Sequence, residues 1–155
     1  MEGIDAVLLG LPRVEKGVAA SYVRDLDVSS LTIYILREDN WEKVRVHLLN
    51  EPYSLTLALA EISNAIWKHC MLYKKVSHVE AKTMFDALKK LRDVVVFEPL
   101  EKYLDDAVEI SMKKGVTVYD ALYLAQAKAF GCLLTSDEKQ WEIANKMGIQ
   151  SEFIE

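Results

Sequence analysis

The chain alternates short apolar runs with longer stretches whose apolar residues recur every three or four positions. "ASYVRDLD" (20–27) reads as a short strand ending near Asp27, and "SSLTIYIL" as the helix after it, with Ser29 or Ser30 as N-cap. "NWEKVRVHLLN" places Trp41, Val44 and Leu48 at helical spacing. "YSLTLALAEISNAIWKHCMLY" (53–73) starts extended and becomes one long helix. "HVEAKTMFDALKKLR" is amphipathic through Val79, Met84, Phe85, Leu88 and Leu91, and "DVVVFEP" is a compact strand closed by Pro99. "EKYLDDAVEISMKKG" predicts a helix stopped by Gly115, with Lys113 and Lys114 suiting its C-terminal end. A nearly all-apolar helix follows to about Phe130, then the strand "CLLTS", the helix "EKQWEIANKMG" and a closing strand in "SEFIE". Strands alternating with helices predict an α/β fold, a three-layer α/β/α sandwich on a mainly parallel sheet.

The most informative helix is "VYDALYLAQAKAF" (118–130). From Val118 to Ala127 only Asp120 and Gln126 interrupt its apolar character. A helix that is apolar nearly all round is buried, and an unpaired buried carboxylate is costly. Asp120 therefore asks for a reason. Three more acids stand at similar places. Asp27 ends the first strand and Asp137 follows "CLLTS", so both are expected at the carboxyl edge of the sheet, where open parallel sheets collect ligands. Glu61 interrupts the apolar "LALAEISNAIW", and Asn64 and Lys68 continue its polar stripe at i+3 and i+7. Each acid also has a plain structural role open to it. Asp27 and Asp137 suit helix N-caps, Asp120 suits a helix N-terminus, and Glu61 suits a lysine partner.

Composition narrows the field. The 155 residues, 51% hydrophobic and 28% charged, fit one domain with a sizeable core. No run long enough to span a membrane lacks charges. The N-terminus carries Glu2 and Asp5 where a secretory signal has basic residues, which predicts a cytoplasmic protein. Cys70 and Cys132 read as reduced buried thiols, and His47, His69 and His78 lack zinc spacing. A net charge of −5 argues against nucleic-acid binding through overall charge but leaves room for a local basic rim, with Lys68, Lys74, Lys75, Lys89, Lys90, Arg92, Lys113 and Lys114 as candidates.

If the four acids converge, two carboxylates ~5 Å apart repel by roughly 3 kcal/mol at an effective dielectric of ~20. Four together need protons or a cation. All-oxygen ligands select Mg2+ or Mn2+, and the chemistry that follows is metal-assisted hydrolysis of a phosphodiester.

"DVSSL" (27–31), "AEISNAIWK" (60–68), "VTVYDALYLAQA" (116–127) and "LLTSD" (133–137) resemble, in order and spacing, the four motifs of PIN-domain nucleases, and most closely those of VapC-type toxins of toxin–antitoxin pairs. The resemblance covers about residues 22–147. It implies an acidic pocket for Mg2+ or Mn2+, an RNA substrate, a homodimer and a cognate antitoxin. Position by position, it makes Asp27, Glu61, Asp120 and Asp137 the catalytic and metal-holding quartet. Ser29, Asn64 and Thr135 become supporting residues, and Lys68 a contact to the RNA backbone. Exposed apolar residues around 41–50 and 57–73, with Trp41, Trp67 and Tyr73 as candidates, are expected to form the protein-binding surfaces.

The chain departs from the family pattern twice. Residues 1–21 form an N-terminal extension ahead of a PIN-like domain over 22–155, and Arg24 and Asp25 stand in a strand that is normally apolar. Asp25 competes with Asp27 for the first-acid role, and the following "VSSL" favours Asp27. "DLDVSS" also imitates the first motif of haloacid-dehalogenase-like phosphatases, with Asp25 as nucleophile and Asp27 as acid/base. That reading uses neither Glu61 nor Asp120. A further alternative is a PIN-like module that binds RNA or protein without cutting.

Overall fold

The computed structural model describes residues 25–155, so the expected extension over 1–21 and the domain boundary at 22 lie outside the described residues. Five strands form one sheet: β1 (Asp25–Leu26), β2 (Tyr53–Leu55), β3 (Val96–Glu98), β4 (Cys132–Thr135) and β5 (Gln150–Phe153). Their spatial order is β3-β2-β1-β4-β5, and every pairing is parallel. The sheet is thus wholly parallel.

Among the described residues, seven α-helices cover it: α1 (Val28–Leu36), α2 (Trp41–His47), α3 (Thr56–Trp67), α4 (His78–Leu91), α5 (Leu104–Lys114), α6 (Val118–Phe130) and α7 (Glu138–Lys146). From β1 to β3 the chain steps one way across the sheet; from β3 it passes back to β4 and on to β5. Right-handed crossovers then put α1–α4 on one face and α5–α7 on the other. The packing agrees, with α1, α3 and α4 meeting one another, and α6 lying on β1, β2 and β4 while packed against α5. The result is the three-layer α/β/α sandwich.

Two local expectations change. The N-cap of α1 is Asp27, whose side chain accepts from the Ser30 N–H, and neither Ser29 nor Ser30 is the cap. The segment 56–73 is also not one continuous α-helix. After Trp67 it widens into a π-helical turn, Lys68–Leu72, in which the Tyr73 N–H bonds to the Lys68 carbonyl at 2.9 Å.

Helix α6 is the centrepiece of the core. Thr117 caps it by accepting from the Asp120 N–H, and Gly131 ends it in the left-handed region at φ 81°, where glycine alone carries no Cβ penalty. All seven residues from Ala121 to Ala127 are buried. The apolar sequence that predicts a central helix thus packs as one, and Asp120 sits half-buried at its leading end.

Candidate active site

Strand order reverses between β1 and β4, since the chain leaves β1 toward β2 and later leaves β4 toward β5. Such a switch point opens a crevice at the carboxyl ends of the strands. Leu26 pairs with Leu134, so Asp27 and Thr135 emerge side by side at that edge and Asp137 lies just beyond.

Asp27 is held by three donors. Its Oδ1 accepts from Ser29 Oγ at 2.6 Å and from the Ser30 N–H at 3.1 Å, while Oδ2 accepts from Thr135 Oγ1. The two hydroxyls in turn accept from the chain after β4, Ser29 Oγ from the Ser136 N–H at 2.9 Å and Thr135 Oγ1 from the Asp137 N–H at 3.0 Å. Each hydroxyl therefore directs its single proton at Asp27 while fixing the backbone that carries Asp137. Asp27 is only 3% exposed. Burial pushes its carboxyl up to about 6, against the pull of the Ser29, Thr135 and Ser30 hydrogen bonds, and the Asp137 charge adds to the push.

Asp137 is exposed and caps α7, accepting from the Gln140 N–H at 3.0 Å. The Gln140 side chain, buried at 4% exposure, donates to the Asp120 carbonyl at 2.9 Å. One residue therefore ties the leading turn of α7 to that of α6. No donor to the Asp120 carboxylate is present among the described residues.

Glu61 reaches the same edge from the opposite layer. Its Oε1 accepts from the Tyr123 hydroxyl at 2.8 Å, a bond that joins α3 to α6 one turn after Asp120. Partial burial raises the Glu61 carboxyl above its ordinary value; the Tyr123 bond opposes this, and the charges of Asp120 and Asp27 reinforce it. The Tyr123 phenol is driven up by its own burial and by the adjacent Glu61. Glu61 thus has a tyrosine as partner where the sequence suggests a lysine.

The four acids border one edge of the sheet, where Asp27 feels the charge of Asp137, and Glu61 those of Asp120 and Asp27. They stand around it without closing up: among the described residues, no three acidic, imidazole or thiol groups form a ready-made metal cage. The donor set is nevertheless all oxygen, and the repulsion already felt by Asp27 and Glu61 is what a divalent cation relieves, so the residues suit a hard ion such as Mg2+. Ser29 and Thr135 lie in the hydrogen-bond network around Asp27. Asn64 and Lys68 do not; both stay exposed on the α3 side. Tyr123 and Gln140 are absent from the sequence reading because both occupy helix positions that read as packing. Their only advance signal is a polar group within a segment expected to be buried.

Asp25 lies one strand residue before Leu26 and is wholly buried, with neither carboxylate oxygen hydrogen-bonded among the described residues. Burial drives it well above the carboxylate range, with Asp27 and Glu98 pushing the same way. A nucleophile sealed from solvent cannot meet a phosphate ester, so the phosphatase reading through Asp25 fails.

The family model described as PIN domain matches residues 26–146, which contain all four acids. The chain belongs to the PIN-domain family, in its VapC-type branch. It is 30% identical over 117 residues to Ribonuclease VapC3 of Pyrobaculum aerophilum, a match that covers 74% of this chain and 88% of that protein. It is 29% identical over 130 residues to Exonuclease VapC9 of the same organism, covering 83% and 90%. The crystal structure of PAE2754 from Pyrobaculum aerophilum superposes with a TM-score of 0.59 at 27% identity, over 81% of this chain and 87% of that one. As a VapC-type PIN domain, the chain carries a nuclease fold. No helix among the described residues is long and apolar enough to cross a membrane.

Proposed function

We propose that this PIN domain is a divalent-metal-dependent endoribonuclease and the toxin of a toxin–antitoxin pair. The observation that carries the reading is the meeting of Asp27, Glu61, Asp120 and Asp137 at one edge of the sheet, with Asp27 and Glu61 both raised by burial and by their acidic neighbours. The name of one relative, Ribonuclease VapC3, supports an RNA substrate.

Asp27, Asp120 and Asp137 are the residues that would hold Mg2+ or Mn2+, directly or through water, with Glu61 completing the oxygen shell or orienting the attacking water. When bound, the ion supplies a water of lowered pKa and neutralises charge on the scissile phosphate. The chain's own part is positional. Ser29, Ser30 and Thr135 hold Asp27 in one rotamer at the head of the crevice. Gln140 fixes the distance between the turns that carry Asp120 and Asp137, and Tyr123 holds Glu61 across the layers. In-line attack of water on phosphorus leaves 5′-phosphate and 3′-hydroxyl ends. Lys68, exposed two turns beyond Glu61, contacts the RNA backbone.

In this reading the protein works in the cytoplasm as a homodimer and is silenced by an antitoxin that covers the acidic edge. The deciding experiment incubates the purified chain with end-labelled RNA. Cleavage with Mg2+ or Mn2+, lost with EDTA and lost in Asp120→Asn, supports the nuclease. RNA retained but uncut in Mn2+ assigns the chain to the silent binding modules instead.

A further inference from the structure

The acids of this chain are unevenly placed. Between Glu61 and Glu80 lie eighteen residues with no Asp or Glu, in a chain that has 24 of them. The same stretch carries Lys68, Lys74 and Lys75. It also exposes aromatic surface, with Trp67 at 47% and Tyr73 at 54%.

The π-helical turn decides how these groups line up. In a continuing α-helix the residue one turn above Lys68 is Leu72. Here the Tyr73 N–H bonds to the Lys68 carbonyl, five residues back, so Tyr73 takes that place. Glu61, Asn64, Lys68 and Tyr73 therefore run up one side of a single rod. Lys75 Nζ lies 5.8 Å from the centre of the Tyr73 ring, and His69 meets that ring edge-on at 5.5 Å. The ring is thus braced by one cation and one imidazole while more than half of the residue's surface stays open.

We infer that the Trp67–Lys75 knuckle is a grip for single-stranded RNA, with Tyr73 as a base-stacking platform and Lys68, Lys74 and Lys75 on successive phosphates. The inference rests on the nuclease reading above. Exposed aromatics interleaved with cations are how single strands are held without sequence readout. A polyanion repelled by a chain of net charge −5 is drawn to its longest acid-free stretch, whose three lysines outweigh the neighbouring Glu38, 3.9 Å from His69. The reach is also right. Twelve residues separate Glu61 from Tyr73, ~18 Å along a helix, or about five stacked nucleotides. A strand gripped at Tyr73 thus arrives at the acidic edge a few nucleotides later.

The test is fluorescence anisotropy of the full chain with a labelled 12-nucleotide single-stranded RNA in EDTA, where cutting is suppressed, alongside a Mn2+ cleavage assay of the wild type. Tyr73→Ala is expected to weaken binding about 5- to 100-fold, and Tyr73→Phe, which keeps the ring, to stay within about 2-fold. Lys74→Gln with Lys75→Gln is expected to flatten the slope of log affinity against log salt by about 1.4. If the wild type cuts and binds RNA but Tyr73→Ala binds equally well, the grip is overturned while the nuclease stands. If Tyr73→Ala instead changes only the mass measured by sedimentation, the knuckle is a protein interface and the grip falls. A wild type that neither cuts nor binds overturns both readings.

Discussion

Two aspartates stand two residues apart at β1 and have opposite surroundings. Asp27 lies at the strand's end with three donors on its oxygens, and its carboxyl is raised only to about 6. Asp25 lies inside, with no donor on either oxygen among the described residues, and is raised well above its ordinary value. Burial is the leading cause at both positions. The difference lies in the hydrogen bonds, which keep Asp27 ionised near neutral pH, while Asp25 gains nothing from its place. Depth alone therefore does not identify a working acid.

The comparison is most strongly tested by neutralising each acid in turn. Asp27→Asn is expected to lower RNA cleavage in Mn2+ by at least about 100-fold, the scale of losing a metal-site contact. The same change should raise the melting temperature at pH 7 by removing a buried charge. Asp25→Asn should raise the melting temperature as well but leave the cleavage rate within a few-fold. Equal loss of activity in the two variants would break the distinction.

The next effect is a pH dependence. An unfolded aspartate ionises near pH 4, and folded Asp27 near 6. Between these values the folded chain holds the extra proton, so stability falls as pH rises through the window and stays lower above it. Asp27 alone contributes on the order of 3 kcal/mol to that loss. Glu61 acts in the same direction. Urea unfolding in EDTA from pH 4 to 8 should show a wild-type slope that Asp27→Asn removes in part. Stability that rises across this window by virtue of Asp27 would contradict its burial.

Smaller effects sharpen the picture. Thr135→Val takes a donor from Asp27 and an acceptor from the Asp137 N–H, and should cost about 1–3 kcal/mol of stability and about 10-fold in cleavage. Tyr123→Phe removes the one hydrogen bond on Glu61 and should cost about 0.5–1.5 kcal/mol. Its signature is weaker Mn2+ binding measured by calorimetry, with the fold intact.

Much of this arrangement was legible before any coordinates. An acid at the end of a short strand, or in the first turn of an apolar helix, has a definite address in a parallel α/β sandwich. That is why Asp27, Asp120 and Asp137 read as neighbours from positions up to 110 residues apart. Glu61 read equally well as a polar break in an apolar helix. The partners did not read. Gln140 looks like any polar residue near a helix start, and its long-range bond to the Asp120 carbonyl depends on how two helix ends approach. Tyr123 sits among apolar residues, so its hydroxyl is invisible to a pattern that scores only the ring. The π turn after Trp67 escaped because "KHCML" is compatible with ordinary helix, and one extra residue per turn leaves no mark in composition. The burial of Asp25 did not read either, since a carboxylate in a strand carries no mark of the depth at which it packs.

Asp27 and Asp137 each begin a helix with the side chain that faces the crevice. Asparagine begins helices about as well as aspartate does. A single-base change in either codon, from aspartate to asparagine, therefore keeps the helix start while removing the charge. On the toxin reading proposed above, the shortest mutational road to safety leads through an inert but well-made copy, and inactive lineages should carry asparagine at these two positions more often than truncations.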